Sequence, residues 1–392
     1  MRSTSMLRLT FGSWPSHGLT LLAASLFFLN GCGNRVDGES RVNHDPSRSA
    51  THVAQVADVS DTTTQPTRDA SRHDEEALTD DERATLESLR KVHDYPLYVM
   101  TYHHDYKTVV AQSASPQMQE GFACSLFAAF HGPDGSLMGR NFDWNESPAL
   151  LLFTKPDQGY ASVSMVDISY LGYNQFNLDE LDSVEGRRRL LRAPLIPFDG
   201  MNDQGLTVAM AAVPDAAIPT YENKPTIVSV TLMRLMLDQA KTVDEALELV
   251  DDYNIDFAGG PNIHYLVADR QGNSALIELK HRRINVHRNE HPWQIATNFY
   301  LTGVIGEPEH SCDRYAKLSA RLIEHEGKIS LQQAMDSLEN VAQPSTRWSM
   351  LYRMDALEAQ LVLNRNYDAP YVISLQDQTI KRQSPASAAS SK

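Results

Sequence analysis

One turn constrains this 392-residue chain more than any other short segment. Phe130-His-Gly-Pro-Asp-Gly-Ser136 carries the x-Pro-Asp-Gly-x pattern, in which proline and glycine each fix a turn position, between apolar runs at 125–130 and 136–142. Apolar runs of this length joined by such a turn predict an antiparallel β-hairpin. The hairpin brings residues before and after the turn together, and among them are several that can carry chemistry.

The register of this hairpin determines which residues face each other. If His131 pairs with Ser136 around a four-residue loop, Cys124 lies opposite Asp143, with the two side chains roughly 5 Å apart at Cβ on one face. A regular pleat then places Arg140 on the other face, so a bulge or a strand end is needed if Arg140 serves the same site. The sequence therefore predicts a cysteine beside a carboxylate.

Cys124 needs a base or a nearby positive charge before its thiol can act as a nucleophile at neutral pH. No histidine is locally placed to serve as that base, so a cysteine–histidine pair would need a distant partner. A cut at the Ala123–Cys124 bond would supply an α-amine, a group whose pKa is ordinarily near 8, directly beside the sulfur. Asp143 would orient that amine, and Arg140 would favour the thiolate. We therefore predict self-cleavage before Cys124. The alternative is a buried apolar cysteine, with Arg140 and Asp143 as an ordinary ion pair.

The remaining pattern mixes short strands with amphipathic helices and shows no internal repeat. Capping boxes at 79–82, 242–245 and 330–333 each begin a helix, and two further helices are predicted near 228–240 and 313–325. Runs of strands separated by paired helices predict an α+β layered fold. Besides the hairpin, strands are predicted at 161–168, 206–213, 263–268, 274–279, 284–287, 294–299, 347–354, 359–363 and 371–375.

The N-terminal part has the pattern of a targeting signal followed by a tether. A basic start and an apolar run at 19–29 form a signal peptide over 1–31, and Leu29-Asn-Gly-Cys32 resembles a bacterial lipobox, which predicts lipidation of Cys32. Residues 32–78 are polar and lack aromatic side chains, so we expect a disordered tether. The protein is thus expected to be exported and lipid-anchored to a bacterial membrane, facing the periplasm or the cell exterior.

Three further segments complete the predicted organisation. Residues 79–123 form a pro-segment packed on the catalytic domain, 124–380 form that domain, and 381–392 form a disordered tail. The formal charge of −15 argues against nucleic-acid binding. The histidines at 103–104, 281 and 287 lack closed tetrahedral ligand spacing, so no metal or cofactor is predicted. The oligomeric state stays open.

Five blocks together resemble one family: the choloylglycine hydrolase and acyl-CoA:6-aminopenicillanate acyltransferase group of linear-amide hydrolases. The resemblance implies the four-layer αββα N-terminal-nucleophile fold, and it runs from Cys124 towards the end of the chain. The blocks are Cys124-Ser-Leu-Phe-Ala-Ala-Phe, Gly139-Arg-Asn-Phe-Asp-Trp144, Met201-Asn-Asp-Gln-Gly-Leu206, Ala296-Thr-Asn298 and Cys312-Asp-Arg-Tyr315.

By position, the resemblance implies a role for each of five residues. Cys124 resembles the nucleophile, Arg140 the charged neighbour that lowers its pKa, and Asp143 the carboxylate that holds the α-amine. Asn298 resembles the side-chain donor of the oxyanion hole, and Arg314 an arginine that supports the site from a later helix. The alternatives are a turn cap for Asn298 and a solvated helix face for Arg314.

One position departs from the bile-salt hydrolases, because Ala212 stands where they carry asparagine; this argues against bile-salt specificity. Three functions stay open at this stage. The first is hydrolysis of a linear amide in a small N-acyl substrate. The second is acyl transfer to an amine or thiol on the same scaffold. The third is a non-catalytic, ligand-binding lipoprotein.

Overall fold

The computed structural model describes residues 77–106, 123–257 and 260–383. The predicted signal peptide, Cys32, almost all of the tether and the second part of the pro-segment lie outside these residues, as does the end of the chain after 383. Within the described ranges, no helix is long and apolar enough to cross a membrane.

Two large β-sheets form the centre of the described fold, and a short parallel pair lies beside them. In spatial order, the nine strands of sheet A are β1 (Arg90–His93), β2 (Leu97–Thr101), β5 (Ala149–Thr154), β6 (Ser162–Asp167), β7 (Asp199–Asn202), β8 (Thr207–Ala212), β11 (Ile263–Ala268), β12 (Ser274–Lys280) and β13 (Arg283–Arg288). The seven strands of sheet B are β14 (Trp293–Ala296), β3 (Ser125–Gly132), β4 (Gly135–Asp143), β15 (Thr346–Arg353), β16 (Glu358–Leu363), β17 (Tyr371–Ser374) and β18 (Thr379–Arg382). The pair consists of β9 (Thr226–Val228) and β10 (Asn254–Asp256).

In the described residues, five α-helices cover the sheets, and three of them begin at the predicted caps. The side chains of Thr79, Thr242 and Ser330 each accept a hydrogen bond from the backbone N–H three residues later, which satisfies one otherwise unpaired donor of the first turn. The helices are α1 (Asp80–Glu87), α2 (Ser229–Gln239), α3 (Val243–Asp251), α4 (Asp313–Glu324) and α5 (Leu331–Asn340).

Strand β7 shows how the layers are arranged, because its successive residues face opposite sides of sheet A. Asp199 faces sheet B, where it contacts side chains of β4 and β15. The neighbouring Gly200 faces α2, and a Cβ there would lie 2.8 Å from a methyl carbon of Leu237. On the far side of sheet B, apolar residues of β3 and β4 pack against α4 and α5. The layers are therefore helices, sheet A, sheet B and helices.

This architecture is the mixed helix-and-sheet fold that the sequence predicts, and all eleven predicted strands are present, with ends displaced by up to three residues. Several strands of sheet A were not predicted, notably β2, β5 and β7. All six residues of β5 are buried, so its sequence lacks the polar–apolar alternation that identifies a half-exposed strand.

The segment before Cys124 forms part of sheet A. Strand β2 lies between β1 and β5 and pairs with β5 in parallel over five residue pairs. The hydroxyl of Tyr102 donates to the carbonyl of Leu191 at 2.8 Å, and that of Tyr106 donates to the carboxylate of Asp238 at 2.6 Å. The segment 79–106 is thus bound to the following domain by a full strand and by buried side-chain hydrogen bonds.

Two sequence-based expectations are wrong in detail. In the hairpin, Gly132 pairs with Gly135, but an extra residue on β3 near His131, whose φ is 64°, shifts the register by one. Ser125 consequently pairs with Asn141, so the predicted pairing of Cys124 with Asp143 does not form. The boundary predicted at 381 is also displaced, because β18 continues through Arg382 and pairs with β17.

Candidate active site

Cys124 immediately precedes β3, and its thiol is buried between the sheets. The one-residue register shift places Arg140 on the same face as Cys124, and Arg140 Nη2 donates to Cys124 Sγ at 3.5 Å. Burial raises the pKa of the thiol, while the positive charge of Arg140 and the backbone N–H of Asp143 act in the opposite direction. The thiol therefore has beside it a guanidinium whose charge opposes the effect of burial on its pKa.

Arg140 is itself held by a buried carboxylate that no sequence pattern had indicated. Its Nη1 atom lies 2.9 Å from Asp199 Oδ2 and also donates to the carbonyl of Phe198 at 3.0 Å. Asp199 accepts further hydrogen bonds from the Tyr352 hydroxyl and, at 3.2 Å, from Trp348 Nε1. Donors from three side chains thus surround Asp199, and the guanidinium of Arg140 is fixed against the sulfur.

Asp143 lies at the end of β4 and is fully buried. Its Oδ1 atom accepts a hydrogen bond from the hydroxyl of Thr346. Its Oδ2 atom has no hydrogen-bond partner among the described residues, although Arg314 Nη1 lies 3.8 Å away. Burial raises the pKa of Asp143 to about 6, against the opposing effects of Thr346 and Arg314. One oxygen of this carboxylate is therefore available to a further donor.

Asn298 joins the two sheets at Cys124. Its Oδ1 atom accepts from the backbone N–H of Cys124 at 2.5 Å and from Arg314 Nη2 at 3.0 Å. Its Nδ2 atom donates to the carbonyl of Ala212, at the end of β8, at 2.7 Å. Because two donors face one end of the amide and an acceptor faces the other, the network fixes its orientation. One hydrogen on Nδ2 remains for another acceptor.

Arg314 is the second residue of α4, and it is only 5% exposed, so the alternative of a solvated helix face is wrong. Its Nη1 atom donates to the carbonyl of Cys124 and, at 3.0 Å, to Ser125 Oγ. Together with the bond to Asn298, these contacts hold the backbone on both sides of the Cys124 Cα atom.

The five residues singled out from the sequence thus lie in one connected cluster. Cys124 directly contacts Arg140, Asn298 and Arg314. The backbone N–H of Asp143 faces the Cys124 sulfur, and the carboxylate of Asp143 lies beside Arg314. The cluster combines a thiol, a positive charge beside it, an amide donor and an acceptor with a free position. Nucleophilic attack on a carbonyl carbon requires these groups.

Comparison with known proteins adds an identification. The family model described as "Linear amide C-N hydrolases, choloylglycine hydrolase family" matches residues 124–299. The segment 124–299 therefore resembles the choloylglycine hydrolase family. The match indicates a hydrolase that acts on carbon–nitrogen bonds of linear amides. The matched segment begins at Cys124 and includes four of the five clustered residues; Arg314 lies beyond its end.

Two solved structures are among those similar to this chain. A penicillin V acylase from Agrobacterium tumefaciens is 16% identical, with a TM-score of 0.44, over 66% of this chain and 90% of that one. A mutant of a conjugated bile acid hydrolase from Clostridium perfringens is 18% identical, with a TM-score of 0.44, over 67% of this chain and 96% of that one.

Two features of this site go beyond what the sequence predicted. Ala212 contributes its backbone carbonyl to Asn298, so the position that lacks the asparagine of bile-salt hydrolases still contacts the site. Asp199 was not predicted, because its donors lie on β4 and β15 and are not visible in the local sequence. In the described parts of the chain, no group of three or more His, Cys, Asp or Glu side chains is arranged to hold a metal ion.

Proposed function

We propose that the protein is a cysteine N-terminal-nucleophile hydrolase that becomes active by cleaving its own Ala123–Cys124 bond. Asp143 Oδ2 carries the proposal. It is a buried carboxylate oxygen without a hydrogen-bond partner among the described residues, next to the residue whose α-amine the cut would release. A buried acceptor left unmatched is costly, and an α-ammonium group would satisfy it.

The proposed cleavage uses the groups that already contact Cys124. The thiolate, favoured by Arg140, attacks the carbonyl carbon of Ala123, and the acyl group moves from nitrogen to sulfur. The C–N bond breaks, the nitrogen takes up a proton, and the α-amine of Cys124 is released. Water then hydrolyses the thioester to leave the Ala123 carboxylate and the thiol. Asn298 Oδ1 accepts from the scissile N–H, which fixes the plane of that peptide bond.

In the mature enzyme, the α-amine takes the proton of the Cys124 thiol, and the sulfur attacks the amide carbon of the substrate. The free hydrogen on Asn298 Nδ2 and a backbone N–H stabilise the oxyanion. The α-amine then gives its proton to the leaving nitrogen, the C–N bond breaks, and a thioester remains. Water, deprotonated by the same amine, hydrolyses the thioester. Asp143 holds the amine throughout, and Arg314 holds Asn298.

We further propose that the protein is exported and anchored through a lipid on Cys32. After the cut, the anchor would lie on the N-terminal fragment. That fragment would remain bound, because β2 lies inside sheet A and the hydroxyls of Tyr102 and Tyr106 are bonded across the cut. The substrate is expected to be a small N-acyl amide.

The test is the N-terminal sequence and intact mass of the purified protein, compared with Cys124→Ala. We expect the wild type to contain a polypeptide beginning Cys-Ser-Leu-Phe, and Cys124→Ala to stay uncut and inactive. Amine release would be measured with a substrate panel of penicillin V, a glycine-conjugated bile acid and N-acyl amides of 7-amino-4-methylcoumarin. An uncut wild type, or a Cys124→Ala variant with substantial turnover, would refute the proposal.

A further inference from the structure

A further buried carboxylate lies beside the site but outside the proposed mechanism. Glu278 is on β12, faces sheet B and is fully buried. His287 Nε2 lies 3.2 Å from Oε2, and His264 Nδ1 lies 3.6 Å from Oε1. Burial raises the pKa of Glu278, but the side chains of His264, His287 and Thr302 outweigh burial and bring that pKa well below its usual range. Glu278 is therefore ionised at neutral pH.

Glu278 holds the turn that follows Asn298. Its Oε1 atom accepts from the backbone N–H of Leu301 at 2.7 Å, and its Oε2 atom accepts from that of Thr302 at 2.8 Å. Two charge-assisted bonds to consecutive backbone donors fix both the position and the direction of a peptide segment. The segment 299–302 is thus attached to sheet A, whereas β14, which precedes Asn298, belongs to sheet B.

Two neighbouring side chains strengthen the attachment at Thr302. Its hydroxyl lies 2.9 Å from His287 Nε2, and its carbonyl accepts from Lys280 Nζ at 2.8 Å. Every polar atom of Thr302 is therefore bonded to β12 or β13. The position of Thr302 relative to sheet A is therefore fixed at three points.

Asn298 is the residue that needs this precision. Its amide spans from Ala212 on sheet A to the backbone N–H of Cys124 on sheet B. The backbone of Asn298 is held by β14 on one side and by the Glu278-bound turn on the other. A displacement near 1 Å in a group of this kind costs on the order of 100-fold in rate. The attachment of residues 299–302 to sheet A consequently determines the position of the Asn298 amide.

We infer that Glu278 is a positioning residue for the reaction, acting through the 299–302 turn on Asn298. The inference rests on the proposed function, because it assumes that Asn298 stabilises the transition state formed on Cys124. The alternative is that Glu278 only stabilises this end of the sandwich. The two roles predict different changes in kcat for protein that is fully folded.

The experiment is a double-mutant cycle on processed enzyme, using the most rapidly hydrolysed amide of the substrate panel. Glu278→Gln keeps the shape of the side chain but removes its charge and one of its two acceptors. We expect kcat to fall by roughly 10- to 100-fold, with KM within about twofold, because Asn298 acts on the transition state rather than on ground-state binding. Asn298→Ala should lower kcat by about 100- to 1000-fold.

The combination of the two substitutions is decisive. If Glu278 acts through Asn298, adding Glu278→Gln to Asn298→Ala changes kcat by less than about twofold, since the group to be positioned is gone. The inference is wrong if the two effects multiply. It is also wrong if Glu278→Gln lowers only the urea midpoint, measured in the uncut Cys124→Ala chain, and leaves kcat of the processed enzyme intact.

Two controls separate this result from other failures. Glu290→Gln alters an exposed carboxylate nearby in the chain, and it should change neither kcat nor the urea midpoint. Cys124→Ala tests the proposed function by itself. An inactive Cys124→Ala together with multiplicative effects at Glu278 and Asn298 would refute the positioning role while leaving the nucleophile in place.

Discussion

Two buried arginine–carboxylate pairs lie within one cluster, and they differ in how completely they are bonded. Asp199 lies 2.9 Å from Arg140 and accepts further bonds from Tyr352 and Trp348. Asp143 lies 3.8 Å from Arg314 and has one oxygen without a hydrogen-bond partner among the described residues. Both carboxylates are completely buried, so exposure to water does not explain the difference.

The difference indicates which pair belongs to the fold and which to the reaction. A buried carboxylate with a full set of donors has its charge compensated, and it holds its arginine in place. Burial raises the pKa of Asp143 to about 6, and the empty position leaves the anion with one donor fewer to oppose that effect. Under the proposed function, the α-amine of Cys124 fills that position after the cut. The two pairs should therefore respond to substitution in opposite directions.

The largest expected effect is at the complete pair. Asp199→Asn leaves Arg140 buried without its counter-charge, so the free energy of unfolding should fall by about 3–5 kcal/mol. Urea unfolding in a Cys124→Ala background, which keeps one uncut chain, measures this change. Asp157→Asn, at an exposed position, is the control and should shift stability by less than about 0.5 kcal/mol. A loss below about 1 kcal/mol at Asp199 would contradict the comparison.

At the incomplete pair, substitution should increase stability at neutral pH. The pKa of Asp143 is raised from 3.8 to about 6, so the folded state favours the protonated carboxyl. The contribution of this preference to the free energy of unfolding is fully present below pH 3.8 and is lost as pH rises through 6. In the Cys124→Ala chain, Asp143→Asn should therefore match its parent near pH 4 and be about 2–3 kcal/mol more stable at pH 7.5. Urea midpoints across this range give the result. Destabilisation at pH 7.5 would show that Asp143 is already fully paired before the cut.

Arg314 should matter more for rate than for stability. Its guanidinium reaches the Cys124 carbonyl, Ser125 and Asn298 at once, which the single ammonium group of lysine cannot do. We expect Arg314→Lys to lower kcat by roughly 10-fold. Arg140→Lys, measured beside it, should lose more stability, because it disturbs the complete pair. Equal stability losses in the two variants would remove the distinction between the pairs.

The smallest effect is expected at a surface ion pair, which serves as the baseline. Lys328 lies 3.1 Å from Glu326, and the side chains of both residues are more than half exposed. Lys328→Met should change the free energy of unfolding by less than about 0.5 kcal/mol, because water already solvates both charges. A larger loss of free energy of unfolding, measured by heat or urea, would contradict the comparison. It would mean that the distance between the charges, and not their burial, determines how much each ion pair stabilises the fold.

The sequence predicted the members of the site better than their arrangement. Residue types and spacing predicted Cys124, Arg140 and Asp143 together, and the family resemblance added Asn298 and Arg314. A single extra residue near His131 then reversed which face Arg140 occupies, and no turn signature predicts such a bulge. Asp199 was missed because its partners come from other strands, and such long-range contacts are not visible in local sequence.

For the fold, caps and alternation predicted most elements, and complete burial obscured strands such as β5 and β7. Helix α5 begins at the predicted capping box because Ser330 and Gln333 bond to each other's backbone locally. Strand β2 depends instead on a partner far along the chain, since its first residue, Leu97, pairs with Ala149 at the start of β5. The pattern of either segment alone does not show which strand it pairs with.

The position of β2 inside sheet A has a consequence for how the enzyme would be inactivated by unfolding. An uncut chain can refold after denaturation as a single molecule. Two fragments that share a sheet must first meet again, so recovery becomes second order in concentration and slows with dilution. The cut would therefore exchange reversible stability for kinetic stability: the mature enzyme would last as long as its unfolding barrier allows and would not be rebuilt once that barrier is crossed.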